Sequence, residues 1–388
     1  MRGVALAGLA APAAAAVLAL APGPAASPSS FGEARRIPLG AGRQPGALAT
    51  GDFDRDGRLD VAVGADGTGD VTILFGDGRG GLHAGPHVPA GPHPTEIVAA
   101  DFNRDGSPDL AVANHESPDL VVLLGDGRGG LRPAPGSPVR VHSVPHPHTI
   151  DACDADGDGN LDLIVDSWGE NRLTLVRGDG RGGFAGPGEP IDVGRKPYRN
   201  LKARDLDGDG RCDVVAPSYE LGVVTVLRGD GRGGFHAAPP IHAGPAPFTV
   251  DAGDLDGDGN VDLAVQNYSG QLTDPSDDAL TFLLGDGKGG FRLGPRIATG
   301  SAPLAVAVGD VNGDRIADAV TADHGSSTLT VSLGGPGGLS ASRTSRVPLP
   351  CRPDRLVLAD LNGDRLADAI VACRDSAELV VLLARPTR

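Results

Sequence analysis

An aspartate-rich nine-residue pattern, Asp-x-Asp/Asn-x-Asp-Gly/Arg-x-x-Asp, recurs seven times along this chain. Its first residues are Asp52, Asp101, Asp154, Asp205, Asp254, Asp310 and Asp360, 49 to 56 residues apart. A unit of that length cannot bury its own apolar face and must pack against copies of itself, so the chain is expected to form one stacked or radial array. The repeats run through most of the 388 residues, which places a single repeat domain at 27–388.

The second copy shows what the unit is. Apolar residues from Ile97 to Ala100 lead into the loop Asp101 to Asp109, and Leu110 to Asn114 lead out of it. Asp119 to Leu124 follow, then a glycine-rich turn and a proline-rich extended piece. Short runs rich in Val, Leu and Ile between Gly, Asp and Pro are strand signals. The inner runs are apolar on both parities, so both of their faces should be buried. Four strands per repeat and seven repeats predict an all-β fold, a seven-bladed β-propeller of four-stranded blades. The last copy ends at Leu379 to Leu383 without its fourth strand, and Phe31 to Leu39 align with the missing one. The N-terminal strand is therefore expected to pair with the C-terminal blade and close the ring, removing a free sheet edge. Aromatic residues make up only 3% of the chain, so Val, Leu and Ala must fill the core.

The loops have the composition of a hard-cation site. Position 1 is always Asp; position 3 is Asp54, Asn103, Asp156, Asp207, Asp256, Asn312 and Asn362. Position 5 is Asp56, Asp105, Asp158, Asp209, Asp258, Asp314 and Asp364; position 9 is Asp60, Asp109, Asp162, Asp213, Asp262, Asp318 and Asp368. Carboxylates at alternate positions of a tight turn, with a carbonyl from position 7, supply the oxygen shell that calcium takes. An EF-hand would need Glu at position 12, where Val63, Val112, Val165, Ala216, Val265, Thr321 and Val371 stand. Position 6 calls for a left-handed backbone and is Gly in five loops but Arg315 and Arg365 in the last two. With Asn at position 3 as well, loops six and seven are expected to bind more weakly, giving five strong calcium sites and two weaker ones. The loops hold half of the 50 acidic residues, so the formal charge of −16 is mostly ligand charge. Nothing basic and clustered points to nucleic acid.

Gly-Asp-Gly-Arg-Gly-Gly at 76–81, 125–130, 178–183 and 229–234, and Gly-Asp-Gly-Lys-Gly-Gly at 285–290, look like phosphate cradles. No helix pattern follows and no Gly-Lys-Ser/Thr closes them, so they read as tight turns between strands. Cys351 and Cys373 stand at the far ends of the two strands joined by the seventh loop, where an antiparallel hairpin would bring them together. Pairing of Cys153 with Cys212 stays open. Residues 1–26 carry one charge, Arg2, then an apolar run and small residues at Ala25 and Ala26, the pattern of a secretory signal peptide. An uncleaved anchor is the alternative. No later segment could span a bilayer. The mature chain is expected as a monomer, secreted, extracellular or on the cell-envelope surface.

In the combination of Asp loops, Leu-x-Val strands and Gly-Asp-Gly-x-Gly-Gly-Phe/Leu turns, the chain resembles the FG-GAP/VCBS repeat proteins, the integrin-α-like seven-bladed propellers, over about residues 31–388. The resemblance implies calcium loops on the lower face and recognition on the upper one. That family includes adhesion modules, lectins and some enzymes.

The loop also serves as a ruler to the opposite end of each blade. Fourteen residues after each first Asp stand Asp66, His115, Trp168, Tyr219, Tyr268, His324 and Arg374. The remaining Tyr198 lies at the start of a first strand, as do His93, His146, His148, Lys196, Arg199, Arg352 and Asp354. This ring should surround the mouth of the central channel. An acidic insertion in the fifth repeat, with Asp274, Asp277 and Asp278, is expected to project from the same face. One reading is that polar-aromatic side chains there simply plug the channel. Aromatic faces beside polar groups also suit a sugar or a peptide. The reading is a secreted recognition or adhesion module for a glycan or protein. The alternatives are a metal-dependent lyase or hydrolase using the rim histidines, and a purely structural envelope protein.

Overall fold

The computed structural model describes residues 30–141, 146–166, 170–193, 200–270 and 277–386; the expected signal segment lies outside them. The strands form seven antiparallel sheets, one per repeat. The first blade is typical, with strands Pro45–Gly51, Asp60–Ala65, Asp70–Gly76 and Leu82–Pro89 in that spatial order. Each Asp loop joins the first two strands of its blade: Gly51 pairs with Asp60 at the loop end, and Pro45 with Ala65 at the other.

The first strands of successive blades pack against one another around a complete cycle, from Pro45–Gly51 through Pro94–Ala100 and onward to Arg355–Ala359, which returns to the start. Closure is made by the N-terminus. Strand Arg35–Pro38 pairs antiparallel with Glu378–Leu382, and Phe31 bridges Ala384. The seventh blade is thus built from both ends of the chain, as the alignment of Phe31 to Leu39 predicts.

Second and third strands are buried on both faces, as their unbroken apolar runs require. Fourth strands are largely exposed on their outer side. Among the described residues the core divides into seven clusters, one at each blade–blade interface. Ile73 and Leu110 share one cluster and Val61 and Ile370 another, so small aliphatic side chains do fill the ring. Both cysteine pairs are disulfides: Cys351–Cys373, as expected, and Cys153–Cys212, which ties the third blade to the fourth. No helix among the described residues is long and apolar enough to cross a membrane.

The glycine-rich turns fasten neighbouring blades. In each of the five, the Asp side chain accepts backbone amides of its own turn, as Asp126 does from Arg128 and Gly130. The Gly129 amide donates to the carbonyl of Phe53 in the preceding blade at 2.9 Å, and Gly182 repeats this to Phe102. A Cβ on Gly129 would sit 2.2 Å from the Phe75 ring, so the close approach demands glycine.

Candidate functional site

At the loop end of the ring, each loop is an inward-curled turn stabilised by its own carboxylates. Asp52 accepts the amides of Asp56 and Gly57, and Asp56 accepts that of Arg58. The position 9 aspartates have a second task that the pattern did not suggest. Asp60 accepts the amide of Phe53 within its loop at 2.9 Å and that of Gly76 at the end of the third strand at 2.8 Å. Asp109, Asp162, Asp213, Asp262, Asp318 and Asp368 make the same two bonds in their blades. Each is a clasp between loop and sheet as well as a candidate ligand.

Burial raises the pKa of these clasp carboxylates, the two amides oppose the shift, and the neighbouring loop aspartates raise it further. Asp109, Asp262 and Asp368 are pushed up to about 6 and Asp318 to about 7. Carboxylates crowded to that degree favour a cation among them. One oxygen each from Asp52, Asp54 and Asp60 lies within 4.8 Å of the other two, and the third and fourth loops repeat the arrangement. An all-oxygen set of this kind fits a hard divalent ion.

The expected division into five strong and two weak loops rested on Arg at position 6 coinciding with Asn at position 3. The backbone at position 6 is left-handed in every loop, including Arg315 at φ 70° and Arg365 at φ 71°. Position 4 is left-handed too: Arg55 at φ 58°, Arg104 at φ 61°, and glycine in the other five loops. Loops one, two, six and seven therefore each hold one strained non-glycine residue, so strain does not set six and seven apart. Arg55 also reaches the next loop, donating from Nε to the Gly106 carbonyl at 3.1 Å. What does distinguish loops is Asn at position 3, in loops two, six and seven.

At the opposite end, four of the seven rim positions are held by one repeated backbone bond. The amides of Asp66, His115, Tyr268 and His324 donate to the carbonyls of Gln44, His93, Ala246 and Ala302 at 2.8 to 3.1 Å. At these four positions unlike side chains are displayed on the same backbone bond, whereas the Arg374 amide is held by the Asp354 carboxylate. Asp66, His93, His115, Asp354 and Arg374 line a cavity of about 280 Å³ there. Asp66 is its hub, bonded to His93 of the second blade and Arg374 of the seventh. His93 Nε2 also faces Glu116 at 3.4 Å, and Asp354 lies 3.6 Å from His324 and accepts the Arg374 amide. Burial raises the Asp354 pKa.

Two further groups stand at this end of the ring. The rings of Tyr219, Phe248 and Tyr268 form an edge-to-face row, with centroids 6.2 and 5.1 Å apart. His115, His146 and His148 converge with centroids 4.0 to 5.0 Å apart. Burial, then His115 and His148, lowers the His146 pKa to about 4. Below the mouth runs a channel of about 340 Å³ lined by all seven first strands and by Glu96, Asp151, Lys202, Asp251 and Arg355. Lys202 stands 3.6 Å from Asp251, which raises its pKa.

Arg352 is exposed and is not among the lining residues; Arg355, which sequence reasoning passed over, lines both spaces instead. Asp278 does not project. It is buried and accepts the amides of Ser269 at 2.8 Å and Ala302 at 2.6 Å, joining the fifth blade to the sixth. Trp168, Lys196, Tyr198, Arg199 and Asp274 lie outside the described residues. Phe248 and Asp166 were missed. Asp166 had a signal: at the thirteenth position of each loop frame it is the one charged residue, beside Gly64, Ala113, Pro217, Gln266, Ala322 and Ala372.

The model of the FG-GAP-like repeat matches residues 52–112, 101–165, 154–216 and 205–265, a span of more than half the chain. The chain belongs to the FG-GAP-like repeat family. No curated protein matches it. Several solved structures resemble this FG-GAP-like propeller. BBS1N, solved in complex with ARL6DN, has a TM-score of 0.63 at 14% identity, over 93% of this chain and 98% of that one. A lectin of Agrocybe aegerita that recognises non-reducing terminal N-acetylglucosamine has a TM-score of 0.52 at 16% identity, over 83% and 92%. The periplasmic gluconolactonase PpgL of Pseudomonas aeruginosa has a TM-score of 0.58 at 22% identity, over 79% and 85%. At such identities the likeness is one of fold, and the fold hosts unrelated functions.

Proposed function

We propose that this FG-GAP-like propeller is an exported, calcium-stabilised recognition module that binds a glycan or an extracellular protein at the mouth of its central channel. The observation that carries the reading is the contrast between the two ends of the ring. The loop end repeats one arrangement seven times. The other end displays unlike acidic, basic, aromatic and imidazole side chains from blade to blade, around a cavity walled by Asp66, His93, Asp354 and Arg374. A concave site with a few convergent polar groups, on a rim that elsewhere carries an aromatic row, suits a hydroxyl-rich or peptide ligand. Calcium is the ion we assign to the loops, because their donors are hard oxygens. Export agrees with two disulfides, which persist in oxidising compartments.

The test is an array of glycans and extracellular proteins probed with the calcium-loaded chain. A ligand should be found whose binding falls in both His93→Ala and Arg374→Ala. It should survive Asp156→Ala on the opposite face, assayed in saturating calcium with folding confirmed. Binding that ignores the two rim substitutions but is lost on changing the loop face would overturn the assignment of the site. Absence of any ligand would overturn the recognition reading itself.

A further inference from the structure

The Asp loops present oxygen donors, whereas one part of the rim gathers nitrogen. His115 leaves the second strand of the second blade, while His146 and His148 lead into the first strand of the third. One ring nitrogen from each of the three lies within 4.8 Å of the other two. We propose that His115, His146 and His148 form a binding site for one divalent transition-metal ion, zinc or a neighbour of similar softness, separate from the Asp loops and independent of the recognition reading.

Donor chemistry comes first. Neutral imidazole nitrogen suits zinc, copper, nickel and cobalt, whereas calcium takes oxygen. The chain would therefore sort two kinds of cation between its two faces. Geometry is the second point. Metal–nitrogen bonds of about 2.0 to 2.1 Å in a tetrahedron put the nitrogens about 3.4 Å apart, so the imidazoles need draw together by at most about 1.4 Å. Rotation about side-chain bonds supplies that much.

The third point is the surroundings of His148. This residue is buried, and Asp166 beneath it is buried as well. Asp166 Oδ1 accepts the backbone amides of His148 at 2.7 Å and Thr149 at 2.9 Å, while Oδ2 faces His148 Nδ1 at 3.6 Å. The 3.6 Å approach is too long for a hydrogen bond, but once closed to one on metal binding it would orient the other ring nitrogen toward the ion and raise its basicity, the usual support of a metal-bound histidine. Asp166 is also the one charge at a position that six other repeats fill with uncharged residues. His115 is fixed by its amide bond to the His93 carbonyl at 3.0 Å, and it forms part of the wall of the rim cavity. Three protein ligands leave the fourth position to water, or to a ligand entering from that cavity.

The experiment uses the full, disulfide-intact chain saturated with calcium, so that the loops are filled and the cysteines cannot compete. The chain is exposed to zinc chloride, gel-filtered in calcium buffer and assayed for zinc by mass spectrometry. Cobalt chloride serves as a spectroscopic probe of the nitrogen ligand field. We expect about one zinc per chain, given the three-ligand site. The ion should be lost in His115→Ala and in His146→Ala and retained in His236→Ala, an exposed histidine of the fourth blade. Asp166→Asn should weaken zinc affinity by about 10- to 100-fold, as supporting carboxylates do. His115 is half-buried at the rim, so its replacement tests the site even if the His146 variant does not fold. Zinc that fails to bind the calcium-saturated chain, or that stays after His115→Ala, would overturn the proposal.

Discussion

Arg36 holds Glu378 through two hydrogen bonds, Nε to Oε2 at 2.7 Å and Nη2 to Oε1 at 2.9 Å, across the strand pair that joins the two ends of the chain. The Arg36 bonds and the Ser376 hydroxyl hold the Glu378 carboxyl below the usual range. The guanidinium is exposed, so water and salt screen most of its attraction.

Closure of the ring should therefore rest on apolar burial at the same seam. Phe31, 3% exposed, packs into the cluster between the sixth and seventh blades. Phe31→Ala should lower stability by about 3 kcal/mol or more, the cost of emptying a buried aromatic site. Arg36→Ala should cost much less, and less again in high salt. Urea denaturation of both variants decides this; equal losses would make the closure electrostatic.

The two roles of the loop aspartates are separable by substitution. Asp262→Ala leaves the buried amide of Leu255 and the half-buried amide of Gly285 without their acceptor. At about 1–3 kcal/mol for each unmade bond, the chain should lose roughly 3 kcal/mol even in calcium-free buffer. Asp256→Ala removes a carboxylate from position 3 of the same loop and should leave metal-free stability nearly unchanged. It should reduce the rise in melting temperature on adding calcium. If both variants behave alike in chelator, the clasp role is wrong.

Calcium titration should resolve two classes of loop. Four aspartates stand in loops one, three, four and five, and Asn103, Asn312 and Asn362 remove one charge from loops two, six and seven. Asn103→Asp should move loop two into the tighter class, seen by isothermal titration as one more high-affinity site. Seven sites of one affinity would contradict this.

The metal-free chain should lose stability as pH rises from about 4 to about 7. The clasp carboxylates of Asp109, Asp262 and Asp368 have folded pKa values of about 6, and Asp318 of about 7, all above the ordinary 3.8. A raised folded pKa means that the native state holds protons the unfolded state has released. The stabilisation is complete below the unfolded value and disappears as pH climbs through the folded one. Bound calcium should reverse the trend, since protons then compete with the ion. Urea midpoints at both ends of this range, in chelator and in calcium, give the check; a midpoint in chelator that rises with pH would refute it.

Much of this was legible because the repeat is local. Asp52 and Asp60 lie in one turn, and the strands on either side pair with each other, so nine residues declare both a loop and the hairpin that carries it. The ring-closing role of Phe31 was legible because the last repeat lacks a strand. Legibility ended where neighbours come from different repeats. Nothing in the order of residues places His115 against His146, or Asp66 between His93 and Arg374, because each contact joins blades whose relative rotation only the closed ring defines.

By itself, then, the sequence determined the seven loops, the strand alternation and the oxygen donor set, since these depend on contacts within about fifteen residues. The tertiary structure decided that the position 9 aspartates clasp the sheet, that position 4 shares the left-handed turn, and that three imidazoles meet beside a buried carboxylate. Those outcomes depend on packing between blades, where side-chain volume and ring closure, rather than local pattern, select which groups face one another.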